Sequence, residues 1–282
     1  MNSIIVTAAD EKFSDLVKGL VSSIIRIKSK DRPDLACLDL GLSRETQEWL
    51  SVRGVKLTVP TWDIPVLTSV REIRPQARAL TARPFLRDYF PGYECYIWMD
   101  SDTWVQEYFA LEWLQMAAAN SQMALVPEVD RCYLPSRGVF EWKLRRMVAY
   151  YGKAGAEQLA WAPYYNAGVF ALHADAPHWG PWAEYFRTGI ETSESRELSD
   201  QTALNYMLWQ TGLGVFPLPA LCNWLCHLSL PSFNAKARRF EEPLSPKRPI
   251  GILHLTGDTK YGKFGYPDGN DEMVTSDFIF GN

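Results

Sequence analysis

The sequence has no excess of positive charge. Its 282 residues include 29 lysines and arginines against 33 aspartates and glutamates, which gives a net charge of −4. Nucleic acids and anionic membranes favour basic surfaces, because basic side chains neutralise their phosphates. Two short basic clusters, at 143–146 and 236–239, have the length that a solvated helix face or loop commonly carries. We therefore expect no nucleic-acid partner.

The sequence also has no apolar run of the ~20 residues that a membrane-spanning helix needs. Its first residues lead straight into an apolar segment, without the basic stretch and small-residue cleavage site of a secretory signal. The 5 cysteines are irregularly spaced, and Cys222 and Cys226 lack the second pair of a structural zinc site. We interpret the cysteines as reduced thiols. These absences predict a cytoplasmic protein without a transmembrane segment.

Apolar segments typical of strands alternate with segments of helical spacing in the first part of the chain. The predicted strands are 4–6, 35–40, 55–59, 95–99, 123–126 and 165–172, and the predicted helices are 13–27, 44–52, 76–90, 111–119, 140–151, 182–190 and 201–211. Pro84 predicts a kink or junction in the third of these helices. The alternation predicts an α/β fold with a mainly parallel sheet, followed by a less regular segment from about Val215.

Two carboxylates, Asp100 and Asp102, directly follow the apolar strand at 95–99. In open α/β sheets, ligands bind beyond the carboxyl ends of the strands. Carboxylate oxygens suit Mg²⁺ or Mn²⁺, which in turn can hold a diphosphate, and the small Ser101 leaves room for the ligand. Because an isolated Asp-x-Asp also occurs in ordinary loops, this pair needs support from other residues.

His254 ends a second apolar stretch, and Gly257 and Lys260 follow it. A neutral imidazole can supply a third metal ligand. Gly257 permits close approach of the backbone, and Lys260 can neutralise a phosphate. A lone histidine is usually structural, but the spacing of these three residues favours a binding site.

Polar residues also lie at the start of two later elements. Asn166 lies at the mouth of the strand at 165–172, where an amide can bind a sugar hydroxyl or form an ordinary turn. Asp200 and Gln201 begin a helix after a serine that can cap it, and they can also face the site. Arg83 precedes the strand at 95–99, from which it can reach a diphosphate or stay solvated.

Taken together, four segments resemble the retaining glycosyltransferases of family 8, the glycogenin-like and lipopolysaccharide galactosyltransferase-like group. Tyr96-Ile97-Trp98-Met99-Asp100-Ser101-Asp102 is similar to that group's strand ending in Asp-x-Asp, and Asn166-Ala167-Gly168 is similar to its Asn-x-Gly strand. Asp200-Gln201 is similar to its Asp-Gln helix start, and the segment from His254 to Lys260 is similar to its His-x-x-Gly-x-x-Lys element. The four segments stand in the order that the family has.

The resemblance implies one Rossmann-like domain of the GT-A type over 1–282, with a mixed central sheet. Residues up to about 130 would form a nucleotide-binding half, and about 131–282 an acceptor-side half with a C-terminal closing segment. The implied activity is metal-dependent, retaining transfer of a hexose from a nucleotide sugar, UDP-hexose above all, to a hydroxyl of a glycan, a protein or a small molecule. The implied residues are Asp100, Asp102 and His254 for Mn²⁺ (or Mg²⁺), Thr7, Ala8 and Ala9 for the nucleoside, Arg83, Ser101, Gly257 and Lys260 for the diphosphate, and Asn166, Asp200 and Gln201 for the donor sugar and catalysis.

The chain departs from the family at two places. Tyr261-Gly262-Lys263 stands where the family commonly has Pro-Trp after the lysine, and the first strand lacks the family's Asn-Asp pair and following tyrosine.

Two other functions compete with glycosyl transfer. A nucleotidyltransferase would carry a glycine-rich basic loop after its first strand, and no glycine stands in 7–12. A non-catalytic protein that binds nucleotide sugars or glycans would have no need for all of these polar residues.

Overall fold

The computed structural model describes residues 1–27, 29, 32–134 and 137–260, together with the backbone of two strands further on. Its strands are β1 Ser3–Ala9, β2 Asp34–Asp39, β3 Val55–Thr58, β4 Cys95–Met99, β5 Thr103–Val105, β6 Met123–Pro127, β7 Tyr165–His173, β8 Val215–Pro217, β9 Trp224–Leu225, β10 Ser232–Asn234, β11 Arg239–Glu241, β12 Ile252–His254, β13 Phe264–Pro267 and β14 Met273–Ser276. Apart from the backbone of β13 and β14, the predicted closing segment beyond 260, with Tyr261-Gly262-Lys263, lies outside the described residues.

The α-helices lie between these strands. They are α1 Ser14–Ile25, α2 Arg44–Val52, α3 Thr68–Ile73, α4 Arg78–Ala82, α5 Leu86–Tyr89, α6 Phe109–Ala118, α7 Arg137–Leu159, α8 Trp179–Thr192 and α9 Asp200–Thr211. The predicted helix at 76–90 is broken into short α and 3₁₀ segments, and Pro84 lies in the 3₁₀ turn Arg83–Phe85 at the junction. The prediction missed α3. None of the described helices is both long and apolar enough to cross a membrane.

The central sheet is mixed and has the strand order β3-β2-β1-β4-β7-β6-β8. Strands β1 to β4 pair in parallel, β7 runs antiparallel to both β4 and β6, and β8 is parallel to β6. Strands from both sides of residue 130 therefore join one sheet. The carboxyl ends of β1, β4 and β6 and the amino end of β7 meet at the same edge.

Apolar layers cover both faces of this sheet. Along β4, Tyr96 and Trp98 pack into one core cluster while Ile97 and Met99 pack into another. All five β4 residues are at most 1% exposed. This burial explains the all-apolar composition that predicted a strand buried on both faces, because a central strand covered by apolar layers on both faces has no solvated side.

A small second sheet, β5-β12-β9, lies at the same edge. Strand β12 pairs antiparallel with β5, so that His254 lies opposite Thr103, the residue after Asp102. Leu255 N also donates to Asp102 O at 2.8 Å. This sheet was not predicted, because its strands have only two or three residues each and show no periodicity that a sequence can reveal.

Candidate functional site

A tight turn after β4 directs two carboxylates into one cleft. The turn is held by Thr103, whose backbone N and Oγ1 donate to Asp100 O at 3.0 and 2.7 Å. Asp100 is also tied to β7, because its backbone N donates to Gly168 O at 2.8 Å. The side chains of Asp100 and Asp102 then point toward the imidazole that β12 supplies.

Asp100, Asp102 and His254 offer three ligand atoms that all lie within 4.8 Å of one another. His254 Nε2 is 3.2 Å from Asp102 Oδ1 and 3.7 Å from Asp100 Oδ2. Two ligands at right angles around Mg²⁺, each about 2.1 Å from the ion, lie roughly 3 Å apart. Two carboxylate oxygens and one imidazole nitrogen also form a donor set that divalent cations accept. The three residues therefore fit a divalent metal.

Gly168 makes the approach of these side chains possible. A Cβ at this position would overlap Cε1 of His254 and would lie 2.7 Å from Asp100 Oδ2 and 2.9 Å from Asn166 Oδ1. No larger residue fits without moving them. The glycine of Asn166-Ala167-Gly168 is therefore required by the space between β4, β7 and β12, whichever ligand binds there.

A hydrogen-bond chain assigns the tautomer of His254. The backbone N of Gly168 donates to Asn166 Oδ1 at 2.9 Å, which identifies that atom as the oxygen of the amide. Asn223 Nδ2 donates to the same oxygen at 2.9 Å, so Asn223 Oδ1 faces His254 Nδ1, also at 2.9 Å. Nδ1 of His254 consequently carries a proton and donates it to this bond.

The electron pair of neutral His254 at Nε2 therefore points at two carboxylates. An imidazole electron pair 3.2 Å from the Asp102 carboxylate oxygen needs a cation between them, since two acceptors at that distance repel each other. A metal ion supplies that charge, and so does a proton on Nε2. Histidines that bind metals commonly use their other ring N–H in this manner to fix the orientation of the ring.

Lys260 reaches the outer side of the same aspartate. Gly257, with φ of +63°, starts the 3₁₀ turn Gly257–Lys260, and the ammonium group lies 2.6 Å from Asp102 Oδ2. Burial alone raises the pKa of Asp102, but His254 and Lys260 outweigh this effect and lower it below the usual value. Asp102 is thus held as a carboxylate.

Arg83 lies between Asp100 and Asp200. It forms an ion pair with Asp100 Oδ1 and another with Asp200 Oδ2 at 2.6 Å, and its guanidinium stacks 4.5 Å from the ring centre of Trp98. Trp98 Nε1 also donates to Asp100 Oδ1 at 2.8 Å. Burial raises the pKa of Asp200, and the ion pair with Arg83 opposes that rise. Arg83 therefore bridges the Asp-x-Asp turn and the start of α9.

Glu128, which the sequence analysis missed, organises the amides at the sheet edge. It directly follows β6, and its Oε1 accepts hydrogen bonds from Asn166 Nδ2 and Gln201 Nε2, both at 3.0 Å. Its Oε2 forms an ion pair with Lys143 of α7. Gln201 Oε1 in turn accepts from Ala167 N at 3.1 Å. The rule that identified Asp100, a polar residue at the carboxyl end of a buried strand, would also have identified Glu128.

A cavity of about 180 Å³ lies between β1, the Asp-x-Asp turn and Lys260. Its walls include most of the residues expected around the nucleotide, namely Ala8, Ala9, Arg83, Asp100, Ser101, Asp102 and Lys260. Thr7 is buried behind this wall, with no hydrogen-bond partner for its Oγ1 among the described residues. Asp10 and Gln76 also line the cavity and were not predicted.

The structure therefore brings the predicted site residues together at one edge of the sheet, but two of them are almost fully buried. Asn166 and Asp200 are only 7% and 3% exposed. Both side chains are bound to protein groups: Asn166 by Glu128, Asn223 and Gly168, and Asp200 by Arg83. Direct contact of these two residues with a sugar stays a prediction.

A second group of possible ligands, Asp130, Cys132 and Glu242, lies in the C-terminal part. Glu242 accepts hydrogen bonds from Arg248 Nε at 2.7 Å and Nη2 at 2.6 Å, and from Arg131 Nη2 at 2.9 Å. Burial raises the pKa of the Cys132 thiol, which keeps it protonated. Because the arginines already balance the carboxylate charge, we assign this group a structural role.

The architecture is that of the GT-A glycosyltransferases, which confirms the predicted fold class. The galactosyltransferase LgtC, solved in complex with donor and acceptor sugar analogs, superposes with a TM-score of 0.57 and 17% identity over 90% of this chain and 87% of that chain. Mouse xyloside xylosyltransferase 1 gives a TM-score of 0.54 and 12% identity over 92% of this chain and 98% of that chain.

The bifunctional glycosyltransferase WbbM is also similar, with a TM-score of 0.59 and 17% identity over 91% of this chain, although the match spans only 46% of that longer chain. No protein-family model matches the sequence, and no curated protein sequence matches it significantly. At sequence identities this low, the structural similarity is evidence for the fold alone.

Proposed function

We propose that the protein is a metal-dependent, retaining glycosyltransferase that moves a hexose from a nucleotide sugar, UDP-hexose above all, to a hydroxyl acceptor. In the reaction, the bond between the anomeric carbon and the diphosphate breaks and a bond to the acceptor oxygen forms. Nucleoside diphosphate and the acceptor's proton are released. The acceptor would be a glycan, a protein side chain or a small molecule.

One observation carries the proposal. Asp100, Asp102 and His254 come from segments about 150 residues apart, yet they converge at the edge of a GT-A sheet where α/β proteins bind ligands. Because Nδ1 of His254 donates to Asn223, Nε2 is the ring nitrogen that faces the two aspartates and can bind a metal. An arrangement of two carboxylates and one free imidazole nitrogen is the chemistry of a metal site.

Each residue then has a role that its position supports. Asp100, Asp102 and His254 would hold Mn²⁺ (or Mg²⁺), which when bound offsets the charge that develops on the leaving diphosphate. Lys260 and the backbone at Gly257 would hold the phosphates from the other side, since Lys260 lies at the cavity beside Asp102.

The remaining residues would place the sugar and the nucleoside. Ala8 and Ala9 would lie beside the nucleoside, with Thr7 behind them. Arg83 would fix Asp100 and Asp200 relative to each other, and Gln201 presents its amide at the edge that Glu128 organises. Asp200 and Asn166 would set the shape of the donor-sugar pocket through these contacts.

We further infer that 1–282 forms one catalytic domain, because strands from both of its halves share the central sheet. The 5 cysteines are all buried free thiols. Free thiols of this kind suit a reducing compartment, which supports the cytoplasm as the place where the protein works.

The test is a screen of nucleotide sugars that measures release of nucleoside diphosphate with Mn²⁺ present. Slow hydrolysis identifies the donor without an acceptor. Asp102→Ala, and Asp102→Asn which keeps the side-chain volume, should lose several kcal/mol of transition-state stabilisation, so that the rate falls at least about 1,000-fold. Asp15→Ala, at an exposed position on α1, is the control.

The outcomes separate the competing functions. Full activity of folded Asp102→Asn would remove the metal role. Calorimetric binding of a nucleotide sugar without turnover, with any acceptor tested, would favour a non-catalytic binding protein. Release of pyrophosphate from a nucleoside triphosphate and a sugar phosphate would instead indicate a nucleotidyltransferase.

A further inference from the structure

A groove of about 800 Å³ lies between α7, α8 and α9, apart from the metal-ligand residues. Small-molecule sites in proteins commonly enclose about 300–1,000 Å³, so the groove has the size of a ligand site. Three half-buried tyrosines, Tyr151, Tyr185 and Tyr206, line it. None of them belongs to the site proposed for the nucleotide sugar, so that function assigns no role to the groove.

The tyrosines form an ordered aromatic wall. The rings of Tyr151 and Tyr206 stack with centres 3.7 Å apart and planes 10° apart, and Tyr185 meets Tyr206 edge-on at 5.7 Å. Gly152, with φ of +69°, interrupts α7 next to this wall, and beyond its chain neighbours and the backbone of its own helix no atom of the described residues lies within 4 Å of where its Cβ would be. The break in the helix therefore leaves the groove open.

Polar groups with unused bonding capacity surround the rings. Among the described residues, no hydrogen-bond partner is found for the hydroxyls of Tyr185 and Tyr206 or for the exposed carboxylate of Glu184. The lining residues also include no lysine or arginine. Phosphates and acidic glycans are therefore poorly matched, since they need cations. A lipid chain is equally unsuited to a wall with this many hydroxyls.

Saccharides match all of these features. The C–H groups of a sugar ring pack against aromatic rings, while its hydroxyls bond to phenol and carboxylate oxygens. We propose that this groove is a saccharide site, separate from the metal-ligand residues, which binds a neutral oligosaccharide. The proposal does not depend on the chain's being a transferase, because it concerns binding alone.

The groove also has a structural link to the proposed active site. Tyr150 is fully buried at the floor of the groove, and its hydroxyl accepts from Ser199 N at 2.7 Å and donates to Glu197 O at 2.8 Å. Ser199 caps α9, and Asp200 is the first residue of that helix. A saccharide in the groove would therefore lie across Tyr150 from the segment that positions Asp200.

The experiment measures binding of maltohexaose, cellohexaose and lacto-N-tetraose to the full-length protein by calorimetry and saturation-transfer NMR, with a heparin hexasaccharide as the anionic comparison. The test variant is Tyr185→Phe/Glu184→Gln, which removes a hydroxyl and a carboxylate charge that have no hydrogen-bond partner among the described residues. We expect at least one neutral oligosaccharide to bind and the variant to weaken it about tenfold or more, as expected for lost hydrogen bonds to ligand hydroxyls. Tyr206→Ala tests the aromatic wall.

Two controls define the site. Glu191→Gln, on the same helix but outside the groove, should leave the affinity unchanged. Asp102→Asn should also leave it unchanged, because Asp102 lies in the other site. The proposal is overturned if none of the neutral oligosaccharides binds, if the double variant binds as well as wild type, if the heparin hexasaccharide binds as tightly, or if Asp102→Asn abolishes binding. Failure of glycosyl transfer in the donor screen would affect none of these readings.

Discussion

Asn223 is the residue whose substitution tests the metal site most directly without touching a ligand. It is fully buried and holds His254 Nδ1 through its Oδ1 at 2.9 Å, while its Nδ2 donates to Asn166 Oδ1. Asn223→Ala removes the acceptor that fixes the proton on Nδ1. The imidazole is then free to turn or to protonate the nitrogen that faces the carboxylates, and either change weakens the ligand set.

The magnitude follows from the two bonds that are lost. Removing the partner of a metal-binding histidine typically lowers metal affinity about 10–100-fold. The buried Nδ1–H of His254 is left without an acceptor, which costs roughly 1–3 kcal/mol of the free energy of unfolding. Asn166 Oδ1 keeps its bond from the backbone N of Gly168, so little further loss is expected there.

The assay is the rate of donor hydrolysis at increasing Mn²⁺, paired with Mn²⁺ binding followed by electron paramagnetic resonance without donor. Asn205→Ala is the matched control, because Asn205 is also fully buried and bonds to the backbone of Tyr165 and Gln201 but not to His254. We expect it to lose stability while the Mn²⁺ midpoint stays in place. A folded Asn223→Ala protein with a midpoint within about twofold of wild type would refute the assigned tautomer.

Two further substitutions test the support of the site. Glu128→Gln should reduce turnover about 100-fold, as expected for misplaced reacting groups, while nucleotide affinity stays the same. The reason is that a neutral amide cannot accept hydrogen bonds from Asn166 and Gln201 and also pair with the Lys143 ammonium. Glu141→Gln on the exposed face of α7 is its control in steady-state kinetics, and equal loss in both variants would contradict the role of Glu128. Gly168→Ala should destabilise the protein by about 1–3 kcal/mol in thermal unfolding and raise the Mn²⁺ midpoint, because the new Cβ overlaps His254. Gly180→Ala in α8 is the control, because beyond its own helix no atom of the described residues lies within 4 Å of the new Cβ, and it should stabilise the protein by at most about 1 kcal/mol. A Gly168→Ala protein as stable as wild type would show that Asp100, Asn166 and His254 are less tightly packed than described.

The regular elements were predictable because local patterns determine them. The helix at 44–52 and the strand at 95–99 have the predicted ends, and Ser43 caps the helix by accepting from Thr46 N at 3.2 Å. Serine at an N-cap and an all-apolar strand depend only on neighbours in the chain and on burial. The same holds for Asp100 and Asp102, since their position after β4 identifies the ligand edge.

The small sheet and its contacts could not be predicted in this way. Strands of two or three residues carry no periodicity, so the pairing of His254 with Thr103 was not predicted. Asn223 lies just before β9 in a stretch without a regular pattern, and its partners are 31 and 57 residues away along the chain. Such long-range polar contacts depend on how loops pack, which no local pattern encodes.

The Asp-x-Asp motif alone also does not show which group each of its four carboxylate oxygens binds. Those partners explain why the residues around the motif matter. Oδ1 of Asp100 is bound by Arg83 and Trp98, and Oδ2 of Asp102 is bound by Lys260. The other oxygen of each aspartate, Oδ2 of Asp100 and Oδ1 of Asp102, faces His254 Nε2. The cations on the outside therefore orient both carboxylates so that one oxygen of each points inward. A motif of the same composition in an ordinary loop would lack these outer partners, so no interaction would orient its two carboxylates toward the same point.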